Sequence, residues 1–324
     1  MILNSKFSIV IPTYNRAKFL DSCLESVVHA VKEHGVAIYV SDNFSFDNTK
    51  DIVDKWRSYY PHIIYKKNTE NLGPDKNFEL ALCMPQTEYV WLLGDTYKVQ
   101  SDIVSFLMNE LIRKTEKPDA FVFNANNRVK GIGGCDYFDK NKLLADLGWH
   151  MTCMSSLVYK KNILQKANFN RYRGTDFIQT GILFEYIEDK DFSIKWVSEY
   201  SIFSIVLDGV KKIGWQDRTF DVWVNKWSNF IFSLPPSYTL NVKLACIKAH
   251  GRRSDLFSIK NLLYLRADGI LNLEIFWRFR YLFPLVIYSW STTIFAIALA
   301  PKFVATAIRG IIRRWLNLKQ RNLR

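Results

Sequence analysis

Polar and aromatic residues that suit ligand binding follow the first apolar run of the chain, Ile9–Ile11, and they are Pro12, Thr13, Tyr14, Asn15 and Arg16. An aromatic ring such as that of Tyr14 can stack on a nucleobase, and the Asn15 amide can hydrogen-bond to it. The alternative is a turn between a strand and a helix in which Asn15 caps the helix. The segment therefore predicts either a nucleotide pocket or a structural turn.

A second candidate, Asp42, stands directly after the apolar run Ile38–Val40 and Ser41. A carboxylate at the end of a strand can accept hydrogen bonds from a base N–H or from ribose hydroxyls. The polar residues that follow it suit helix capping, and they are Ser45, Asp47, Asn48 and Thr49. We interpret Asp42 as a ligand-binding residue and the four later residues as the start of a helix.

The segment 68–77 combines polar side chains with a turn. Gly73 and Pro74 mark this turn, and Pro74 suits the first position of a helix. Because the N-terminus of a helix attracts anions, the loop could face a diphosphate. Lys76 either adds positive charge to that site or is a solvated lysine.

The elements that precede these candidates must position them. Short apolar runs alternate with segments whose apolar residues recur every three to four positions, which is typical of strands alternating with helices. The pattern predicts an α/β fold with a mostly parallel sheet flanked by helices. Ligands bind at the carboxyl ends of such strands, so chemistry is expected in the loops after the first, second and fourth strands. The predicted strands contain Ile9–Ile11, Ile38–Val40, Ile63–Tyr65, Tyr89–Leu93 and Ala120–Phe123.

The second half of the chain is less regular. A strand is predicted at Ser155–Tyr159 and a helix at Phe177–Ile187. Past Gly214 the composition shifts to Trp, Phe and basic residues without strand alternation. We therefore predict a first domain over residues 1–215 and a helical region over residues 216–324.

Four short motifs occur in order at the ends of the first four predicted strands: I-P-T-Y-N-R from Ile11, S-D-N-x-S-x-D-N-T from Ser41, N-x-G-P-x-x-N from Asn71 and W-L-L-G-D from Trp91. Together they resemble glycosyltransferase family 2, and within it the bacterial O-antigen and capsule sugar transferases of the abequosyltransferase-like type. The resemblance covers residues 5–130 and continues loosely to 190. It implies a GT-A fold, which is Rossmann-like, and transfer of a sugar from a nucleotide-diphosphate donor such as a UDP-sugar, with inversion.

The resemblance also implies which residues bind the donor. Asp42 would contact the base, and Asp95 would lie in the acidic motif that holds the ribose and a divalent ion. The nucleotide pocket would be lined by Pro12, Thr13, Tyr14, Asn15 and Arg16, and its wall would be shaped by Asn71, Gly73, Asp75 and Asn77.

The implied cofactor is Mn²⁺ or Mg²⁺, which neutralises the charge that develops on a leaving nucleoside diphosphate. The family commonly has two or three Asp after the glycine, whereas Thr96 and Tyr97 follow Asp95 here. The next carboxylate along the chain is Asp102. Metal binding is then weaker, completed by another residue, or replaced by cationic side chains on the phosphates.

An inverting transfer needs a general base that takes the proton of the acceptor hydroxyl. In the family this base is usually a carboxylate in the second half of the domain, and the first candidate here is Asp176, which follows Gly174 and opens a predicted helix. The alternative role of Asp176 is that of a helix N-cap. Glu185 is the second candidate.

The C-terminal quarter carries almost all of the excess charge. Residues 241–324 contain 15 Lys and Arg against three acidic residues, in a chain whose net charge is +13. The 20 residues 281–300 include no charge, which is near the minimum length of a membrane helix. Basic residues on both sides of that segment fit a chain that enters and leaves a membrane on one face. The alternative is a buried core helix followed by a solvated basic tail.

A helical region that docks on a membrane would place the predicted transferase beside lipid-linked acceptors. Apolar residues from Ile308 to Leu316 alternate with arginines, which is typical of a helix lying in an anionic headgroup layer. The expected partners are the nucleotide-sugar donor, a polyprenyl-diphosphate-linked glycan and the membrane surface. The expected location is the cytoplasmic face of the bacterial inner membrane. No nucleic-acid partner is expected, because no motif that reads RNA or DNA is present.

Other classes of protein are disfavoured. The five cysteines are scattered without a C-x-x-C pair, which argues against a disulfide framework and against a structural zinc site. The N-terminal residues have no basic segment ahead of a long apolar run, so a secretory signal is not expected. Two rival functions remain: a sugar nucleotidylyltransferase, which should have a glycine-rich, lysine-bearing phosphate loop after the first strand, and a non-catalytic member that binds nucleotide or partner enzymes at the membrane.

Overall fold

Seven consecutive buried residues, Phe7–Thr13, form strand β1 at the centre of a sheet in the computed structural model. The structure describes residues 4–113, 116–210 and 214–321. The chain divides into two units. The first comprises Met1–Val210 with Leu234–Tyr238, and the second comprises Lys211–Ser233 with Thr239–Arg324.

The first unit is built on a nine-stranded sheet of order β3-β2-β1-β4-β8-β6-β9-β5, in which β7 also pairs with β9. Strand β1 is paired in parallel with β2 on one side and with β4 on the other. The strands after β1 are β2 (Ala37–Asp42), β3 (Ile63–Lys67), β4 (Tyr89–Leu92), β5 (Tyr97–Lys98), β6 (Ala120–Ala125), β7 (Cys135–Tyr137), β8 (Leu157–Lys160) and β9 (Ile194–Ser204).

Helices of the first unit connect these strands and cover the sheet. The first helix shows why they form: apolar residues at helical spacing, among them Leu20, Leu24, Val27 and Val31, are all buried, so one face of the helix packs into the core. The helices are α1 (Ala17–Val31), α2 (Thr49–Tyr59), α3 (Pro74–Cys83), α4 (Ser101–Arg113), α5 (Lys140–Leu147), α6 (Lys161–Lys166), α7 (Phe169–Tyr172) and α8 (Ile178–Tyr186).

The α/β fold is confirmed, but the sheet is mixed rather than mostly parallel. Strand β8 lies antiparallel between β4 and β6, and β5 and β7 are antiparallel to β9. Because β8 is antiparallel to both of its neighbours, β6 runs in the same direction as β4. The carboxyl ends of β1, β2, β4 and β6 therefore meet at one edge of the sheet.

The second unit contains helices alone among its described residues. A short π-helix, Asp221–Lys226, leads directly into the first of its α-helices. These are α9 (Trp227–Ser233), α10 (Leu240–Arg253), α11 (Ile259–Ala267), α12 (Leu273–Phe279), α13 (Phe283–Val286), α14 (Ser291–Leu299) and α15 (Lys302–Arg321).

The uncharged segment 281–300 is broken into short helices, α13 and α14, rather than one long helix. Among the described residues, no individual helix has the length and the apolar character needed to cross a membrane. One pair, Ser291–Leu299 with Lys302–Trp315, meets both requirements when taken together, and its two helices are bent by 106° at the break.

Substitution of two glycines inside helices of the second unit should have opposite effects on the free energy of unfolding. A Cβ atom at Gly251 in α10 would stand 1.9 Å from the backbone oxygen of Val286, whereas one at Gly310 in α15 would meet no atom within 4 Å. We expect Gly251→Ala to lower the free energy of unfolding by about 1–3 kcal/mol, because the backbone must shift. We expect Gly310→Ala to raise it by roughly 0.5–1 kcal/mol through helix propensity. Urea unfolding of both variants checks this, and equal stabilities would contradict the packing described for α10.

Candidate active site

The loops after β1 and β4 are joined by one buried carboxylate. Thr13 Oγ1 donates a hydrogen bond of 2.8 Å to Asp95 Oδ2, and Arg16 Nη1 lies 3.0 Å from Asp95 Oδ1. Asp95 is 1% exposed, so its charge needs these partners to remain buried. The strand pairing also sets Thr13 beside Asp42 of β2. Four of the predicted donor-site residues, Thr13, Arg16, Asp42 and Asp95, therefore lie at the same edge of the sheet.

Asp42 holds the loop that follows β2. Its Oδ1 accepts from the backbone N–H of Ser45 at 2.8 Å, and its Oδ2 accepts from the hydroxyl of Tyr65 at 2.6 Å. Burial raises the pKa of Tyr65, and the hydrogen bond to Asp42 raises it further, so the phenol remains a donor. A carboxylate has acceptor capacity beyond two hydrogen bonds. Asp42 is 1% exposed, so its contacts in this structure are with its own chain.

Asn15 ties the first loop to the second instead of capping a helix. Its backbone N–H donates to Ser45 Oγ at 2.8 Å, and its Oδ1 accepts from the N–H of Phe46 at 2.8 Å. Asn15 has a φ of +50°, in the left-handed region, and the residue that precedes α1 is Arg16, which makes no side-chain cap. The adjacent Tyr14 is 37% exposed, so its ring is available to a ligand.

The strand before this loop is longer than Pro12 suggests. Pro12 pairs with Ser41 within the ladder between β1 and β2, and β1 continues to Thr13. The ring of Pro12 is buried with the rest of the strand. Pro12, which was predicted to line the nucleotide pocket, is therefore part of the buried strand.

A network of amides, of which those of Asn43, Asn68 and Asn77 are buried, joins the loops after β2 and β3. Asn77 Oδ1 accepts from Ser41 Oγ at 2.7 Å and from Asn68 Nδ2 at 3.1 Å. Asn71 Oδ1 accepts from Asn43 Nδ2 at 2.7 Å and from the N–H of Gly73 at 3.0 Å. The predicted wall residues Asn71, Gly73 and Asn77 therefore fix the loop shape through one another and through Asn43.

Asn43 and Tyr65 are two members of the site that sequence reasoning missed. Asn43 stands inside the second motif and could have been found from it. Tyr65 reaches Asp42 because β3 pairs with β2 in parallel, with Tyr65 opposite Val40. That register carries no signal in the sequence.

Asp75 brings a distant loop to the start of α3. Its Oδ2 accepts from the backbone N–H of Gly174 at 2.7 Å and from that of Asp176 at 3.2 Å. Asp75 is buried, with 6% of its surface exposed. Asp176 has a φ of +67°, a strained conformation for a residue with a side chain. The structure thus joins the loop of the first base candidate to the loops of the predicted donor site.

The expectation that Asp176 opens the helix is wrong. Helix α8 begins at Ile178, and the residue before it is Phe177, which makes no side-chain cap. The left-handed backbone of Asp176 separates it from the helix. The carboxylate of Asp176 is therefore not used as an N-cap.

Glu185, the second base candidate, lies near the end of α8 in an ion pair. Its Oε1 is 3.3 Å from Arg171 Nη1. Burial raises the pKa of Tyr172, and the neighbouring Glu185 raises it further. The structure thus brings Glu185 together with α7, which carries Arg171 and Tyr172.

A divalent ion does not fit the residues of this loop. Thr96 is buried and supplies no carboxylate, and the Tyr97 hydroxyl lies 3.4 Å from Cys153 Sγ. Asp95 is held by Thr13 and Arg16. In the parts of the chain that the structure describes, no group of three His, Cys, Asp or Glu could hold a metal ion.

His150 is a buried, neutral imidazole that contacts the backbone of β6. Its Nε2 lies 2.9 Å from the backbone oxygen of Phe123, which can only accept, so Nε2 carries the proton. Burial lowers the pKa of His150 to about 3, and the positive charge of Arg128 acts in the same direction. Nδ1 is therefore an acceptor across the neutral pH range.

The buried His150 predicts a loss of stability in acid. The unfolded chain binds a proton at its ordinary pKa of about 6.5, whereas the folded protein does not, so the stabilisation is complete above that pKa and declines below it. We expect the free energy of unfolding to fall by about 2 kcal/mol between about pH 7.5 and about pH 5 from this group alone. Urea unfolding of His150→Asn should show a shallower dependence on pH than the unmodified protein. The exposed His29→Asn variant is the control, and identical profiles for all three proteins would refute the assignment.

The sheet order and the loops gathered at the carboxyl ends of its strands define a GT-A glycosyltransferase fold. The structure of Staphylococcus aureus TarS 1–349 in complex with UDP-GlcNAc superposes with a TM-score of 0.55 at 15% identity, over 95% of this chain and 92% of that one. The mannosyltransferase PcManGT from Pyrobaculum calidifontis, in complex with GDP-Man and Mn²⁺, gives 0.53 at 16% identity, over 94% and 87%. At these identities the likeness shows the fold alone.

The family follows from the sequence of the same segment. Residues 8–107 match the model of glycosyl transferase family 2. This segment is a family 2 glycosyltransferase match, and the resemblance read from the four motifs is confirmed.

Curated relatives match parts of the chain. The abequosyltransferase RfbV of Salmonella typhimurium is 37% identical over 106 residues, which are 32% of this chain and 32% of that protein. The GalNAc(5)-diNAcBac-PP-undecaprenol beta-1,3-glucosyltransferase of Campylobacter jejuni is 26% identical over 178 residues, or 51% and 55%. The matched segments thus span about a third and about half of these relatives.

Proposed function

We propose that this protein transfers a sugar from a nucleotide-diphosphate donor, a UDP-sugar, to a hydroxyl of a lipid-linked oligosaccharide, with inversion at the anomeric carbon. The family 2 domain supports sugar transfer from such a donor. The acceptor class is that of the Campylobacter jejuni relative, a GalNAc(5)-diNAcBac-PP-undecaprenol beta-1,3-glucosyltransferase. The expected setting is bacterial O-antigen or capsule synthesis.

The observation that carries the proposal is the pair of hydrogen bonds from Gly174 and Asp176 to Asp75. They tie the loop of a strained carboxylate-bearing residue to the loops that would hold the nucleotide. In the proposed reaction the acceptor oxygen attacks the anomeric carbon as Asp176 takes its proton. The bond from that carbon to the phosphate oxygen breaks, and the nucleoside diphosphate leaves with the electron pair.

The donor contacts are assigned by the same proposal. Asp42 accepts a hydrogen bond from the base, the exposed ring of Tyr14 stacks on the base, and Asp95 accepts a hydrogen bond from the ribose. Thr13 and Arg16 hold Asp95 in place for this contact. Mn²⁺ or Mg²⁺ receives no step in the mechanism, because both oxygens of Asp95, the carboxylate of this loop, are already held by Thr13 and Arg16.

Asp176→Asn tests the base. The amide keeps the shape of the side chain but cannot take a proton, so we expect the transfer rate to fall about 100-fold or more. UDP release from UDP-sugars should be measured with undecaprenyl-diphosphate-linked oligosaccharides as acceptors, beside nucleotide binding followed by calorimetry. Binding should be unchanged.

Glu185→Gln is the matched variant. It removes the charge of the other candidate, and its ion pair with Arg171 is partly exposed, so transfer should be little affected. A large loss in Glu185→Gln together with an active Asp176→Asn variant would reassign the base.

A second candidate function, a nucleotide-binding member without catalysis, is favoured by Thr96 and Tyr97 at the positions of the expected carboxylates. Such a protein would bind a nucleoside diphosphate tightly and release none from any donor sugar. The sugar nucleotidylyltransferase alternative has no comparable support, because the loop after β1 is Tyr14-Asn15-Arg16 and lacks a glycine-rich phosphate loop.

We also propose that the second unit docks on the cytoplasmic face of the inner membrane. Helix α15 supports this through a stripe of exposed apolar residues four positions apart, which we call the α15 stripe: Phe303, Ala307, Ile311 and Trp315. On the opposite side of the helix, Ala305 is buried and α15 packs against α11. Exposed Arg313 and Arg314 lie beside the stripe. An apolar stripe with flanking arginines fits the interface of an anionic bilayer.

Ile311→Glu tests this docking. The side chain of Ile311 is 66% exposed, so the folded protein should tolerate the change. We expect binding to anionic phospholipid vesicles to weaken roughly tenfold, because the variant loses the burial of one isoleucine and gains repulsion. Vesicle co-sedimentation measures it. The control is Ile112→Glu in α4, a site in the first unit that is 63% exposed. Equal binding by the two variants would exclude the α15 stripe as the docking surface.

A further inference from the structure

The turn after β6 has a strained backbone. Asn126 and Asn127 have φ values of +52° and +51°, so two consecutive residues with side chains adopt the left-handed conformation. Such residues persist only where the surrounding structure fixes them. The turn closes when the N–H of Arg128 donates to the backbone oxygen of Ala125 at 3.1 Å.

Side-chain amides fix this turn on both sides. Asn124 Nδ2 donates to the backbone oxygen of Val129 at 3.0 Å, and Asn124 Oδ1 accepts from the N–H of Val129 at 3.2 Å. Asn126 makes the same two-way contact with Ser204, at 3.0 and 2.8 Å. Arg128 is therefore presented by a rigid backbone.

Among the residues that the structure describes, the guanidinium of Arg128 has no anionic partner. Its Nη2 donates to the backbone oxygen of His150 at 3.2 Å and lies 3.3 Å from His150 Nδ1. Its centre lies 5.5 Å from the ring of Trp149, and its Nε is buried without an acceptor. No carboxylate of the described residues lies within ion-pairing distance of it. Because the imidazole of His150 is neutral, the positive charge is left uncompensated.

Arg128 lies at the edge of the sheet where Asp95 is held. Strand β6 runs parallel to β4, so the turn after β6 and the loop after β4 are at the same end. One chain of contacts joins them. The oxygen of His150 that accepts from Arg128 also accepts from the N–H of Cys153 at 3.0 Å. Cys153 Sγ in turn contacts the hydroxyl of Tyr97 at 3.4 Å, two residues after Asp95.

We propose that Arg128 binds the diphosphate of the nucleotide donor and supplies the positive charge that a divalent ion would otherwise provide. A partly buried guanidinium whose outer nitrogens keep N–H groups that no acceptor of the described residues takes up suits phosphate oxygens. The inference rests on the proposed function, because it takes the ligand to be a nucleoside diphosphate. In the reaction, Arg128 stabilises the charge on the leaving diphosphate as the bond to the anomeric carbon breaks.

The experiment is a calorimetric titration with UDP, UMP and uridine, each in EDTA and in Mn²⁺, with GDP, CDP and dTDP in case the base is not uracil. In EDTA we expect Arg128→Gln to weaken UDP binding roughly 10- to 100-fold and to leave uridine binding unchanged. UMP should be affected less than UDP. Arg128→Lys keeps the positive charge but not the guanidinium. Its affinity for UDP should lie between those of the unmodified protein and of Arg128→Gln, and this variant guards against a folding defect.

Lys130→Gln is the matched control, because this exposed lysine carries the same charge two residues further along the same turn. Equal losses of UDP affinity in Arg128→Gln and Lys130→Gln would overturn the proposal. It would also be overturned if the unmodified protein bound UDP in Mn²⁺ but not in EDTA. Both outcomes leave the transferase function standing. Failure of the unmodified protein to bind any of the four diphosphates, with or without Mn²⁺, would overturn the proposed function together with this inference.

Discussion

The candidate site depends on the pairing of the buried carboxylate of Asp95. A charge with 1% exposure cannot persist in a protein without partners, and Thr13 and Arg16 provide them from the neighbouring loop. This requirement fixes the loop after β1 against the loop after β4. Asn15, next to Arg16, then holds the loop after β2 through Ser45 and Phe46. The loops after β1, β2 and β4, which are separated along the chain, are thereby fixed relative to one another.

The same arrangement bears on how the proposed donor would be held with fewer acidic residues. In the loop after β4, buried Thr96 and the Tyr97 hydroxyl beside Cys153 replace carboxylates that would attract a cation. Removal of negative charge from one loop matches the uncompensated positive charge of Arg128 on another. The missing carboxylates after β4 and the uncompensated charge of Arg128 agree with each other, because an unpaired arginine beside a bound divalent ion would be repelled by it.

Much of the first unit was predictable, because β1, β2, β3, β4 and β6 are short apolar runs between amphipathic helices. The pairing of β8 was not, since an antiparallel strand has the same buried pattern as a parallel one. Strand β9 was missed because polar residues interrupt its apolar ones, and β5 because it has only two residues. In the site, Asp42 and Asp95 could be found from their positions after strands. The contacts of Asp75 with Gly174 and of Asn126 with Ser204 could not, because nothing local in the sequence encodes a contact between segments so far apart.

The hydrogen bonds of Asp75 have a consequence for the order of assembly during synthesis. Gly174 lies 99 positions after Asp75, whereas the loops after β1, β2, β3 and β4 lie within the first hundred residues. Strands β1 to β4 pair in parallel among themselves, so their contacts can form as soon as these residues leave the ribosome, while the loop of Asp176 is still unmade. A nascent chain therefore reaches a state in which the loops proposed to hold the nucleotide can be in place before the proposed base exists. Ligand that binds at that stage would stabilise the growing domain without being consumed.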